Sequence, residues 1–132
     1  MKEITLDANR ENLAELYAFV EQTLGDAGCP IKTQMQISVA VDEIASNIVQ
    51  YSKSPKITLQ IDSAKDPFRA KLIFIDSGCP YNPLQKKDPD VSLSAEEREI
   101  GGLGIFLVKK TMDKMEYSRE GEKNILTIEK QG

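Results

Sequence analysis

The apolar residues of this 132-residue chain change their spacing between Ser52 and Lys56, and that change limits the fold more than any other feature. Before it, in QISVAVDEIASNIVQYSK, residues Ile37, Val41, Ile44, Ile48 and Tyr51 fall within roughly 40° of one line at about 100° per residue, the pattern of a helix with one buried stripe. After Pro55, KITLQID (56–62) and RAKLIFID (69–76) alternate, as neighbouring antiparallel strands do. Segment 63–67 joins them. A helix over about 32–52 therefore feeds a two-stranded unit, and each element needs the other to cover its apolar side.

The flanking segments extend this plan. Glu3 to Asp7 suits a short strand, and from Asn9 onward Leu13, Leu16, Tyr17, Val20 and Leu24 recur at helical spacing until Gly25–Pro30 stops the helix. Residues 84–100 are polar and weakly periodic, which predicts a mobile lid, with a short helix at the capping-box pattern SAEE, Ser94 to Glu97. GGLGIFLVKKTMDKM, Gly101 to Met115, predicts a helix with Phe106, Leu107 and Met112 on its apolar face. Strands at about 116–119 and 125–130 flank the turn EGEKN. This order predicts one α+β domain over 1–132, a two-layer sandwich whose mixed, mostly antiparallel sheet is covered on one face by helices. It lacks the strict βαβ alternation of a doubly wound nucleotide fold.

Composition removes whole classes of function. The chain has no histidine, which excludes Ser-His-Asp and Cys-His catalysis, HExxH metal sites and an internal phosphohistidine. Cys29 and Cys79 form no CxxC, so reduced thiols and a cytoplasmic setting are expected. A net charge of −4 opposes binding to nucleic acid, and neither a leader-like h-region nor a run of membrane-spanning length is present.

Three segments could carry chemistry. Glu43 and Asn47 lie one turn apart on the shoulder of the buried stripe, able to share a ligand, and equally readable as a solvated (i, i+4) pair. Asp76 ends an apolar strand and is followed by Gly78, Pro80 and Pro83; this is an ordinary turn, or a rigid wall where Asp76 accepts a hydrogen bond from an amino group such as that of adenine. GGLG, Gly101 to Gly104, is either a hinge or a helix start whose free N–H groups meet phosphate. Together, an acid for a base amine, an amide beside a carboxylate and glycines for phosphates match the needs of ATP chemistry.

In this order and spacing the residues resemble the GHKL (Bergerat-fold) ATPase superfamily, most closely its anti-sigma-factor serine/threonine kinase branch, over nearly the whole chain. EIASN (43–47) is similar to the N box, DSGCPYNP (76–83) to the first glycine box and GGLGIFLVKKTMD (101–113) to the second. The resemblance implies ATP and Mg2+ as cofactors, with Asn47 on the metal and Glu43 as general base toward a serine hydroxyl or water. Asp76 and Gly78 would form the adenine pocket, and Gly102, Leu103 and Gly104 would hold phosphates. Thr127 would support Asp76, and Arg98 in the lid would reach a phosphate. It further implies partner switching between a sigma factor or similar target and a phosphorylated anti-anti-sigma antagonist, with homodimerisation as a further expectation. Tyr51 and Tyr81 depart from the pattern, the first where relatives carry histidine or lysine, the second where phenylalanine is common. A nucleotide-dependent binding module without transfer, or a detached histidine-kinase-type ATPase domain, would use the same boxes.

Overall fold

The computed structural model describes residues 1–85 and 102–132. Strand β1 (Lys2–Asp7) leads through a 3-10 turn into helix α1 (Leu13–Asp26), then helix α2 (Ile31–Asn47), strands β2 (Lys56–Ala64) and β3 (Arg69–Asp76), helix α3 (Gly102–Thr111), and strands β4 (Lys114–Glu120) and β5 (Lys123–Gln131). The sheet order is β1-β2-β3-β5-β4, and every pair is antiparallel. No parallel pair of the kind a mixed sheet would contain occurs among the described strands. The element order matches the sequence expectation, with strand ends extended by at most two residues; α3, expected to run to Met115, ends at Thr111, and Met115 lies in β4. Most of the proposed lid, including SAEE and Arg98, lies outside the described residues.

Strand alternation decides what the sheet buries. Ile57, Leu59 and Ile61 of β2, Ala70, Leu72 and Phe74 of β3, and Leu126 and Ile128 of β5 form the inner face. They pack against Leu16, Val20 and Leu24 of α1, Ile37, Val41 and Ile44 of α2, Val108 of α3 and Met112 just after it. Each such side chain, fully buried, contributes about 1.5–3 kcal/mol. On α3 the phase differs from the expected one: Ile105, Val108 and Met112 are buried, Phe106 is half-buried and Leu107 is 47% exposed. The short helix starts at a glycine, so too few turns existed to fix its phase from apolar spacing.

The helix boundaries follow from local chemistry. Gly28 takes φ +79° after α1, and the N–H groups of Gly28 and Cys29 reach the carbonyls of Gly25 and Leu24 at 3.1 and 3.0 Å, a Schellman closure. Burial pushes the Cys29 thiol pKa up, which keeps it protonated. Helix α2 does not continue as α to Ser52. Its last turn, Ile48–Ser52, is π-helical, and Lys53 ends it in the left-handed region at φ 56°. The wider turn changes the phase of the helix, so Tyr51 is only half-buried, whereas Ser52 is 1% exposed.

Candidate functional site

The same parity that builds the core carries polar groups to its end. Asp76 follows Ala70, Leu72 and Phe74 on the inner face of β3, and Asn124 precedes Leu126 and Ile128 on that of β5; the two residues are directly opposed. Both are buried, at 5% and 3% exposure, so their polar atoms need partners. Asp76 Oδ1 accepts hydrogen bonds from the Ser52 hydroxyl, the Gly78 N–H (3.0 Å) and Asn124 Nδ2 (3.0 Å). Three donors on one oxygen fix the orientation of the carboxylate, leaving Oδ2 as the acceptor that faces a ligand.

Asn124 ties this acid to the turn that follows it. Its amide nitrogen also donates to the Cys79 carbonyl (2.8 Å), while Oδ1 accepts from the Tyr117 hydroxyl, Arg119 Nη1 (3.2 Å) and the Tyr81 N–H (3.3 Å). Arg119 Nη1 further donates to the Gly78 carbonyl (2.8 Å). From the other side, the Cys79 N–H bonds the Ser52 carbonyl at 3.0 Å. Gly78 is required here: a Cβ would overlap the Ser52 hydroxyl and backbone carbonyl. The turn that sequence reading took as a pocket wall is thus clamped between the π-turn and β5.

Asn47, Asp76, Tyr81, Pro83, Tyr117 and Asn124 line one cavity, floored by Ile44, Ile48 and Leu126. Its volume is about 20 Å³, room for a water and less than a purine needs. A purine would fit this space only if its lining opened.

Asn47 also connects this cavity to Glu43, since its Nδ2 donates to Glu43 Oε1 at 3.4 Å. In that orientation Asn47 Oδ1 is left as a hard oxygen ligand. No group of three or more acidic, cysteine or histidine side chains occurs among the described residues, so a magnesium ion here would take most of its ligands from phosphate and water. The Glu43 carboxylate lies against Gly104, whose absent Cβ makes the space; a side chain there would overlap it. Gly102 and Leu103 form the first turn of α3, so the helix N-terminus and its N–H groups open beside Glu43.

Of the residues anticipated from sequence, Glu43, Asn47, Asp76, Gly78, Gly102, Leu103 and Gly104 fall in one connected region. Thr127 does not. It sits on β5 with parity opposite to Asn124, on the outer face of the sheet, and support for Asp76 comes from Asn124 and Ser52 instead. Ser52, Tyr117, Arg119 and Asn124 were not anticipated. The two departures, Tyr51 and Tyr81, stack on one another with ring centroids 5.2 Å apart and planes 20° apart.

A helix-backed antiparallel sheet with a clamped acid at one strand end and an amide–carboxylate pair beside a glycine-started helix defines a nucleotide-binding α+β protein. Residues 6–130 match the histidine kinase-like ATPase domain family, and the chain belongs to it. The chain is 24% identical over 99 residues, 74% of its length, to the serine/threonine-protein kinase BtrW of Bordetella bronchiseptica, covering 70% of that protein. Its fold is similar to that of a chain in the SiaB–SiaC complex from Pseudomonas aeruginosa, with a TM-score of 0.60 and 10% identity over all of this chain and 90% of the other. No described helix is long and apolar enough to cross a membrane.

Proposed function

We propose that this chain is an ATP-dependent serine/threonine protein kinase of the partner-switching type, working as one cytoplasmic domain. The observation that carries the reading is the junction at Asn47, which lines the Asp76 cavity on one side and bonds Glu43 on the other. Asp76 Oδ2 would accept the adenine amine beside Gly78, and Gly102, Leu103 and Gly104 would receive the phosphates at the helix start. Bound between Asn47 and those phosphates, Mg2+ would neutralise charge during transfer. Glu43, within reach of the same space, would take the proton of an attacking serine or threonine hydroxyl. Arg98, outside the described residues, is the candidate for a further phosphate contact. Similarity to a named serine/threonine kinase supports a protein acceptor, of the anti-anti-sigma kind, whose phosphorylation would alter competition for a sigma factor or similar target.

The test mixes the protein, Mg2+ and labelled ATP with the small antagonist-type proteins of its source genome. One of them gains label on serine or threonine, and Glu43→Gln abolishes labelling while ATP still raises the melting temperature. Labelling that survives Glu43→Gln removes the assigned base. The stack of Tyr51 on Tyr81 favours a second reading, a nucleotide-dependent binding module, because an aromatic pair occupies the position where relatives carry a basic side chain. Tight ATP binding without label on any antagonist would select it.

A further inference from the structure

Helix α2 is apolar on two sides. Ile37, Val41 and Ile44 fill the core, yet Ile31, Met35 and Val39 are exposed at 73%, 65% and 60%. These three are spaced i, i+4, i+8, each about 40° further round the helix, so they form one ridge on the solvent side. A helix apolar on both sides calls for cover on both, and among the described residues nothing covers the outer side. The next step of the same spacing is Glu43. Along the axis Val39, Met35 and Ile31 lie about 6, 12 and 18 Å from it.

The charges around the ridge select the partner. Helix α1, alongside, has no lysine or arginine, and its acid at this groove is Glu21. Glu21 borders the groove beside Ile31 and Met35, and Asp42 lies in line with the ridge at its end nearest the site. Lys32 is the one cation α2 contributes. A second copy would bring the same two carboxylates, Glu21 and Asp42, against one cation, Lys32, so an acidic face would meet an acidic face. A partner with lysine or arginine beside an apolar ridge would neutralise them.

We propose that the Ile31–Met35–Val39 ridge is the docking surface for the phosphoacceptor protein, which presents apolar side chains bordered by basic residues and places its hydroxyl at Glu43. This rests on the kinase reading and adds to it the chemistry of the substrate. The ridge supplies binding energy away from the reacting atoms, equally before and during transfer, and its line toward Glu43 brings the bound acceptor to the site.

The experiment titrates the full chain with two fluorescein-labelled helical peptides. Both carry leucine at i, i+4 and i+8; one flanks the leucines with lysine and the other with glutamate. The lysine peptide binds at least tenfold tighter than the glutamate peptide. Met35→Lys weakens it at least tenfold while the ATP-induced rise in melting temperature is unchanged. Equal binding of the two peptides, no binding of the lysine peptide, or binding indifferent to Met35→Lys overturns the proposal. So does a wild-type dimer in sedimentation that Met35→Lys converts to monomer, since the ridge would then be occupied by a second copy. With an acceptor in hand from the labelling assay, Met35→Lys raises its KM and leaves kcat in place. An unchanged KM sinks the docking surface and keeps the kinase; absent transfer with charge-selective peptide binding does the reverse.

Discussion

Asn124 and Asp76 face each other across β5 and β3, and a 3.0 Å hydrogen bond joins the amide of one to the carboxylate of the other inside the protein. The amide uses its second N–H on the Cys79 carbonyl, so one side chain holds both the acid and the turn beyond it. Asn124→Ala leaves those acceptors without their donor in a buried setting and should cost about 2–4 kcal/mol in urea unfolding. ATP affinity by calorimetry should fall at least tenfold, because Asp76 loses its fixed direction. Asn124→Asp separates geometry from charge. It sets a second carboxylate against Asp76 and removes the donated N–H, so at neutral pH it should cost more stability in urea unfolding than Asn124→Ala does. An Asn124→Asp variant as stable as Asn124→Ala would show that the two side chains do not meet as the β3–β5 register places them.

The two glycines of the site are required for different reasons, and substitution distinguishes them. At Gly78 a Cβ meets the Ser52 backbone, which cannot yield, so Gly78→Ala should lower stability by more than about 2 kcal/mol and abolish ATP binding together with it. At Gly104 the obstacle is the end of the flexible Glu43 side chain. Gly104→Ala should therefore fold with little loss while pushing Glu43 out of position, and a shift of that size lowers transfer about a hundredfold. Single-turnover rates check this. Because both changes act on one group, adding Gly104→Ala to Glu43→Gln should produce almost no further loss in rate.

These sites also mark how far the chain could be read without coordinates. Alternation in KITLQID and RAKLIFID located β2 and β3 within two residues, because the inner positions from Ile57 to Ile61 and from Ala70 to Phe74 are apolar and a slip by one would expose the whole row. Glu43 and Asn47 could be picked out as polar residues one turn apart on the shoulder of an apolar stripe, and Asp76 as the acid ending an apolar strand; singling them out from ordinary surface and turn residues took the family resemblance. Asn124 was not, since it stands in EGEKN and reads as a turn residue; only the register of β5 on β3, set by loop lengths and packing, carries it opposite Asp76. Thr127 was chosen as a strand hydroxyl, and the same register puts it on the outer face. Ser52 depended on the π-turn, a phase change with no apolar residue to announce it.

Tyr17 links the two helices outside the cleft through a 2.6 Å hydrogen bond from its hydroxyl to Asp42 Oδ1. Burial first, and then that bond to an acid, push its pKa from 10.0 up to about 12. A folded value above the unfolded one means the contribution is present in full below about pH 10 and is lost as pH rises through about 12. Ultraviolet titration of the phenols should include one late step near pH 12 that is missing in Tyr17→Phe. Stability measured from pH 9 upward should fall more steeply in wild type than in that variant; parallel curves would mean the hydrogen bond is absent in solution.

The stacked pair Tyr51 and Tyr81 joins the π-turn to the wall of the base cavity, and the rings meet at 5.2 Å with a 20° angle. Aromatic pairs in this geometry contribute about 0.5–1.5 kcal/mol beyond their buried area, and a double-mutant cycle with Tyr51→Leu and Tyr81→Leu should recover a coupling in that range. The consequence for ligand is opposite in sign. The cavity holds only about 20 Å³ while Tyr81 is in place, so releasing that ring lowers the cost of opening it. Tyr51→Leu should therefore bind ATP more tightly than wild type although it is the less stable protein. Weaker ATP binding by Tyr51→Leu would mean that the stack builds the nucleotide-ready wall instead of restraining it.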